Sequence, residues 1–248
     1  MGWFDESLKI FSIFSLSHIL AIGFFAVLIT GLLLFRNVFP RHPRWMRGLE
    51  IGAGSLMLIL QAIFYAWTFA LGEATWDLLP LGVCHLSMFI TSITLFFRWE
   101  KGFRFIFPWA VMGAILSLLI ADLRYEFPHF RYFHYFLNHG IFLLANLWFV
   151  VVRKWTFTYR SLWISATVLF LLSMAMLVIN PWLGTNHLFM DHLPEAAEPL
   201  FSWLGDPWWI AGFIFSVIVM FHLAFGLYCL LRKMDERKTR VPSEQSTE

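Results

Sequence analysis

Apolar residues run along this chain in long blocks separated by short polar links. A helix that spans the hydrocarbon of a bilayer needs about 20 mostly apolar residues. Seven blocks fit: Ser17 to Phe35, Leu49 to Ala70, Leu79 to Phe97, Phe105 to Ala121, Tyr132 to Val152, Leu162 to Ile179 and Trp208 to Leu231. Pro40 and Pro43 break the first link, Pro128 precedes the fifth block, and Asn180-Pro181 is read as the end of the sixth. Pro80 is read as a first-turn proline, which starts the third helix near Leu79. The expected fold is all-α, a polytopic membrane bundle of about seven helices forming one domain over residues 1–235. The tail 236–248 is expected to be disordered. Ahead of the first block, Phe4, Leu8 and Phe11 recur on one helical face and predict a short interfacial helix. The segment lacks a basic n-region, so no cleaved signal peptide is read there.

Composition and charge sharpen this picture. Hydrophobic residues make up 59% of the chain and charged residues 14%, too little polar surface to cover such a chain in water. The basic residues alternate with the spans. Arg36, Arg41, Arg44 and Arg47 fall in the first link; Arg98, Lys101 and Arg104 in the third; Arg153, Lys154 and Arg160 in the fifth; and Arg232, Lys233, Arg237, Lys238 and Arg240 in the tail. These are 15 of the 18 Lys and Arg; only Lys9, Arg124 and Arg131 fall elsewhere. The positive-inside rule then predicts an outer N-terminus and a cytoplasmic C-terminus. The expected location is a cell membrane that the chain crosses many times. Because topology already accounts for the basic residues, nucleic acid is not an expected partner.

Polar groups inside the spans are where function is sought, because hydrocarbon penalises them. On the third helix Cys84, Ser87 and Thr91 share one face, with His85 and Ser92 beside it. On the fifth, Tyr135, His139 and Asn146 share a face, and Arg131, His134 and Asn138 form the neighbouring stripe. His18 opens the first helix on the same side of the membrane. Cys84 is expected about five residues into its helix. Cys84 and His139 could thus approach one another, a recognised nucleophile–base arrangement in which the thiolate attacks. Asn138 or His134 could orient the imidazole, and His18 or His85 could hold a proton or an oxyanion. The bland reading is strong: a cysteine in an apolar helix is more often packing, and His and Asn often bond helices together. The spacing of His134, His139, His187 and His192 favours no metal site, and no cofactor is expected. His129 and Arg131, with Asp122 and Glu126, form a polar rim cluster, either a solvated loop or a place for a lipid headgroup. Asn186 and His187 lie in the long link on the same side.

Several stretches carry a resemblance. They are Leu79-Pro80-Leu81-Gly82-Val83-Cys84, Phe127-Pro128-His129-Phe130-Arg131, Asn138-His139-Gly140, Gly184-Thr185-Asn186-His187-Leu188-Phe189 and Leu204-Gly205-Asp206-Pro207-Trp208-Trp209. In this order the chain resembles the YwaF-like family of bacterial integral membrane proteins. That family is similar to a eukaryotic acyltransferase acting on ether lysophospholipids and, more distantly, to androgen-induced membrane hydrolases of fatty-acid esters. The resemblance implies an active centre at Cys84 and His139. The family pattern has a histidine where this chain has Gly82 and a tyrosine where it has His187; His85 and His187 are the stand-ins the chain offers.

The expected function is therefore a membrane lipid acyltransferase, transacylase or lipid esterase working through an acyl-cysteine at Cys84. His139 is its base, a phospholipid or lysophospholipid is its substrate, and Asn186, His187, His129 and Arg131 are headgroup candidates. The alternatives are a non-catalytic transporter or receptor for lipids or small molecules, and a helical membrane scaffold.

Overall fold

Seven helices in a computed structural model of the chain are long and apolar enough to cross a membrane. They are α1 (Leu16–Phe35), α2 (Pro43–Ala70), α3 (Val83–Phe97), α4 (Glu100–Leu119), α5 (Phe130–Val151), α6 (Tyr159–Leu183) and, after a one-turn helix α7 (Glu198–Phe201), α8 (Trp208–Arg240). The structure describes residues 3–4, 10–194 and 197–240. Among these there is no β-sheet, only an isolated bridge between Ile10 and Tyr125. The protein is an all-α, multi-pass membrane bundle.

Several helix ends differ from the sequence reading, among them α4, which starts at Glu100 rather than Phe105. α2 starts at Pro43, six residues before Leu49. Proline suits a first helical position because the N–H it lacks would have had no helical partner. α3 starts at Val83 rather than near Leu79: Trp76–Leu78 forms a 3-10 turn, Pro80 lies in the turn after it, and extended Gly82 is the N-cap. Cys84 therefore sits in the first turn of α3, nearer the helix end than expected. α6 continues through Pro181 to Leu183 and stops at Gly184, whose φ of 66° is left-handed. A proline in the last turn removes one helical bond. Asn180 ties down the chain beyond it: its Oδ1 accepts from Thr185 Oγ1 and the His187 backbone N–H, and its Nδ2 donates to the His187 carbonyl.

The interfacial helix expected over Phe4, Leu8 and Phe11 falls mostly on residues 5–9, which lie outside the described residues. The Phe11 backbone N–H donates to the Arg124 carbonyl at 3.0 Å, and its ring packs against His18 and Phe136. Leu8 lies outside the described residues. At the other end α8 extends to Arg240, and residues 241–248 lie outside the described part.

α5 is the most enclosed span and α4 the next; α1 and α8 are the most peripheral. Leu20, Phe24 and Val27 on α1 and Phe215 and Leu223 on α8 point outward, as surfaces solvated by lipid do. α1 approaches α5 closely at Gly140, where an added Cβ would overlap the Phe25 ring.

Ion pairs show which links share a rim. Glu50 on α2 is 2% exposed. It accepts from Arg153 Nε and Nη2, both at 2.6 Å, and from Trp148 Nε1 at 3.1 Å. Arg47 and Arg98 stand 3.8 and 3.7 Å from the same carboxylate. Asp235 on α8 meets Arg36 at 3.4 Å and Lys154 at 2.5 Å. The ends of α1, α3, α5 and α8 thus gather at one basic rim. At the other rim Phe11 meets Arg124, and His187 meets Trp76. This is the alternation that the basic residues predict.

Candidate functional site

Cys84 is half-buried on α3 and faces α4. Its Sγ lies 3.7 Å from Ser117 Oγ. Gly113, one turn earlier on α4, leaves room beside the thiol: a Cβ built there would stand 3.7 Å from Sγ. As a first-turn residue of α3, Cys84 belongs to the group whose backbone N–H donors have no partner within the helix. Both Cys84 and Ser117 line an apolar cavity of about 400 Å³. The rest of its wall comes from Val83 on α3, from α4 between Pro108 and Leu116, and from α6, α8 and the Leu188–Met190 turn. Its size falls within the range of small-ligand pockets, roughly 300–1,000 Å³.

His139 is on α5 and does not line this cavity. Its Nδ1 is 2.7 Å from the Tyr135 carbonyl. A carbonyl only accepts, so Nδ1 carries the proton and Nε2 the lone pair. No hydrogen bond joins Cys84 to His139. Tyr135 bridges between their neighbours: its hydroxyl donates to the Ser117 carbonyl at 3.1 Å, and its ring lies tilted against His139 with centroids 4.4 Å apart. Ser117 went unnoticed in the sequence because serine in an apolar α4 carries no pattern of its own.

The other candidates separate. His18 is fully buried, with Nδ1 accepting from the Phe14 backbone N–H and Nε2 donating to the Leu118 carbonyl. Both nitrogens serve the fold, far from the acid–base role considered for it. His129 Nδ1 caps α5 by accepting from the Arg131 backbone N–H, and the ring stacks on Tyr125 at 4.1 Å. Asn186 shapes its own loop through Asp191 and His192. The His187 backbone N–H is held by Asn180, and its Nε2 donates to the Trp76 carbonyl at 3.2 Å.

Arg131 turns inward. Its Nη1 donates to His134 Nδ1 at 2.9 Å, and its guanidinium lies 4.0 Å above the Phe64 ring. His134 Nε2 must then carry the proton, and it donates to Gln61 Oε1 at 3.0 Å. Gln61, an isolated polar residue in the sequence, is thus a partner of α5. His85 lies near Arg131, His139 and His187. Asn138, 4% exposed, has no partner at either amide atom among the described residues. No three His, Cys, Asp or Glu side chains among the described residues are grouped to hold a metal ion.

The fold and this site define a class: a seven-span helical membrane protein with a thiol opening onto an apolar intramembrane cavity. The chain belongs to the TMEM164 family, whose family model matches residues 13–225. No curated protein matches it, and no solved structure does.

Proposed function

We propose that this protein is a membrane lipid acyltransferase or transacylase that works through Cys84, as its resemblance to the YwaF-like family implies. The observation that carries this reading is the placement of the Cys84 thiol at the wall of an apolar cavity suited to a hydrocarbon chain. Sγ attacks the ester carbonyl of a phospholipid, forming a C–S bond. Breaking the ester C–O bond releases the lysophospholipid, which takes up a proton. A second lysophospholipid hydroxyl then attacks the thioester and Sγ regains its proton; with water as acceptor the product is a free acid. The His139 Nε2 lone pair is the base for both halves. On this reading the Cys84–His139 contact forms in the substrate complex, since catalytic bonds are often loose without substrate. First-turn N–H groups of α3 meet the oxyanion.

The basic rim is assigned to the cytoplasm by the positive-inside rule. Cys84 then works from the outer half of a bacterial cytoplasmic membrane. The test is acyl exchange by the purified protein between a phospholipid and a lysophospholipid. Cys84→Ala should abolish it, and His139→Ala should lower it by about 10²–10⁴-fold, as expected for loss of a general base. Full activity in both variants would sink the proposal.

A carrier of lipids is the second reading, favoured by the pairing of Cys84 with Ser117 rather than with His139. A carrier would keep its ligand in Cys84→Ala, and mass spectrometry would show no product.

A further inference from the structure

Arg131 is a cation within a membrane span, where a charge without a counter-charge is costly. Among the described residues it forms no ion pair with a carboxylate. Guanidinium offers five N–H donors. One is used by His134 Nδ1, and the others have no protein acceptor among the described residues. The ionisable side chains closest around it are histidines and tyrosines: His85, His134 and His139, with Tyr125 and Tyr135. No acid joins them.

The neighbouring amides are oriented as donors. Because His134 accepts from Arg131, its other nitrogen must donate, which fixes Gln61 Oε1 as the acceptor. The Gln61 amide nitrogen is thereby left buried with nothing to donate to. Asn138 follows Arg131 by seven residues on the same stripe of α5, about 10 Å along the helix at 1.5 Å per residue. It adds a second buried, unpartnered amide. A buried donor left without an acceptor is a standing cost to the fold. A cation that meets a ring face and a histidine but no carboxylate among the described residues, beside spare N–H donors in a low dielectric, lacks one thing, an anion with several acceptor oxygens.

We propose that Arg131, Gln61 and Asn138 form an oxyanion site that takes a phosphate group. Arginine suits it through its planar, forked donors. The site would be filled equally in a carrier, so it does not depend on acyl transfer at Cys84. Its nearness to His85 and His139 would hold a phospholipid's ester region beside the candidate centre.

The test measures binding, not turnover, with purified full-length protein in a non-ionic detergent. The probes are dihexanoylphosphatidylcholine, uncharged dihexanoylglycerol and inorganic phosphate. Wild type should bind the phospholipid saturably. Arg131→Gln should weaken that binding tenfold or more and Asn138→Ala several-fold, with dihexanoylglycerol binding unchanged. Asn138→Ala removes an amide with no partner, so its thermal midpoint should hold or rise; it decides the matter if Arg131→Gln does not fold. Competition by inorganic phosphate supports a site that accepts the free ion, and lack of competition supports one that takes lipid-borne phosphate. Unchanged phospholipid affinity in both variants, or equal losses for the two lipids, overturns the proposal.

Discussion

Asn146 on α5 donates through Nδ2 to Thr91 Oγ1 on α3 at 2.9 Å. The two helices run in the same direction, so this bond sets their register at an offset of 55 residues. The same offset places Cys84 level with His139. One buried hydrogen bond deep in the bundle thus brings the candidate thiol and imidazole to a common depth.

A double-mutant cycle with Thr91→Val and Asn146→Leu should show this coupling. Interhelical bonds of this kind average about 0.6 kcal/mol in membranes and reach about 1.7. Thermal unfolding in detergent is the readout, and purely additive losses would dissociate the pair from the register.

At Gly140 the bundle has no room for a methyl group, because an added Cβ would overlap the Phe25 ring. Gly140→Ala should cost about 1–3 kcal/mol, the usual range for overpacking. Adding Phe25→Leu should return part of that loss. A Gly140→Ala protein as stable as wild type would contradict the packing described.

Glu50 holds Arg153 through two bonds of 2.6 Å and also holds Trp148. Glu50→Ala leaves the Arg153 cation unpaired at a partly buried position, and removing one partner of a buried pair costs about 3–5 kcal/mol. Glu50→Gln keeps one acceptor oxygen and should lose less. The order of unfolding midpoints, wild type above Gln above Ala, is the check.

Gly113 borders both Cys84 and the cavity. Gly113→Leu should fill part of the cavity while leaving the fold intact. Under the acyl-transfer reading it should favour short acyl chains over long ones, measured as a shift in chain-length preference. An unchanged preference would remove the cavity from the reaction.

The spans and their alternation were legible because membrane insertion writes them in composition: apolar blocks and clustered arginines depend on no tertiary contact. Helix ends were less so. The third block is continuously apolar from Leu79, and nothing in hydropathy marks the turn that delays α3 until Val83. The helical stripe Arg131, His134 and Asn138 was visible as periodicity, but Gln61 looked isolated, because its partner lies 73 residues away on another helix. Cys84 and His139 stood out by residue type and resemblance. Tyr135 was visible on the His139 face, but its link to Ser117, and Ser117 itself beside Cys84, emerged only when α4 was placed against α3 and α5. His18 looked like a site residue for the same reason that it is a good structural one: two ring nitrogens that two backbone groups can satisfy.

The most direct measurement of the central claim is intact mass spectrometry of the purified protein after brief incubation with a phospholipid of defined acyl chains and acid quench. A mass increase of one acyl group is expected, removed by neutral hydroxylamine as a thioester is, and absent from Cys84→Ala. No adduct on a turning-over enzyme, or the same adduct on Cys84→Ala, would contradict it.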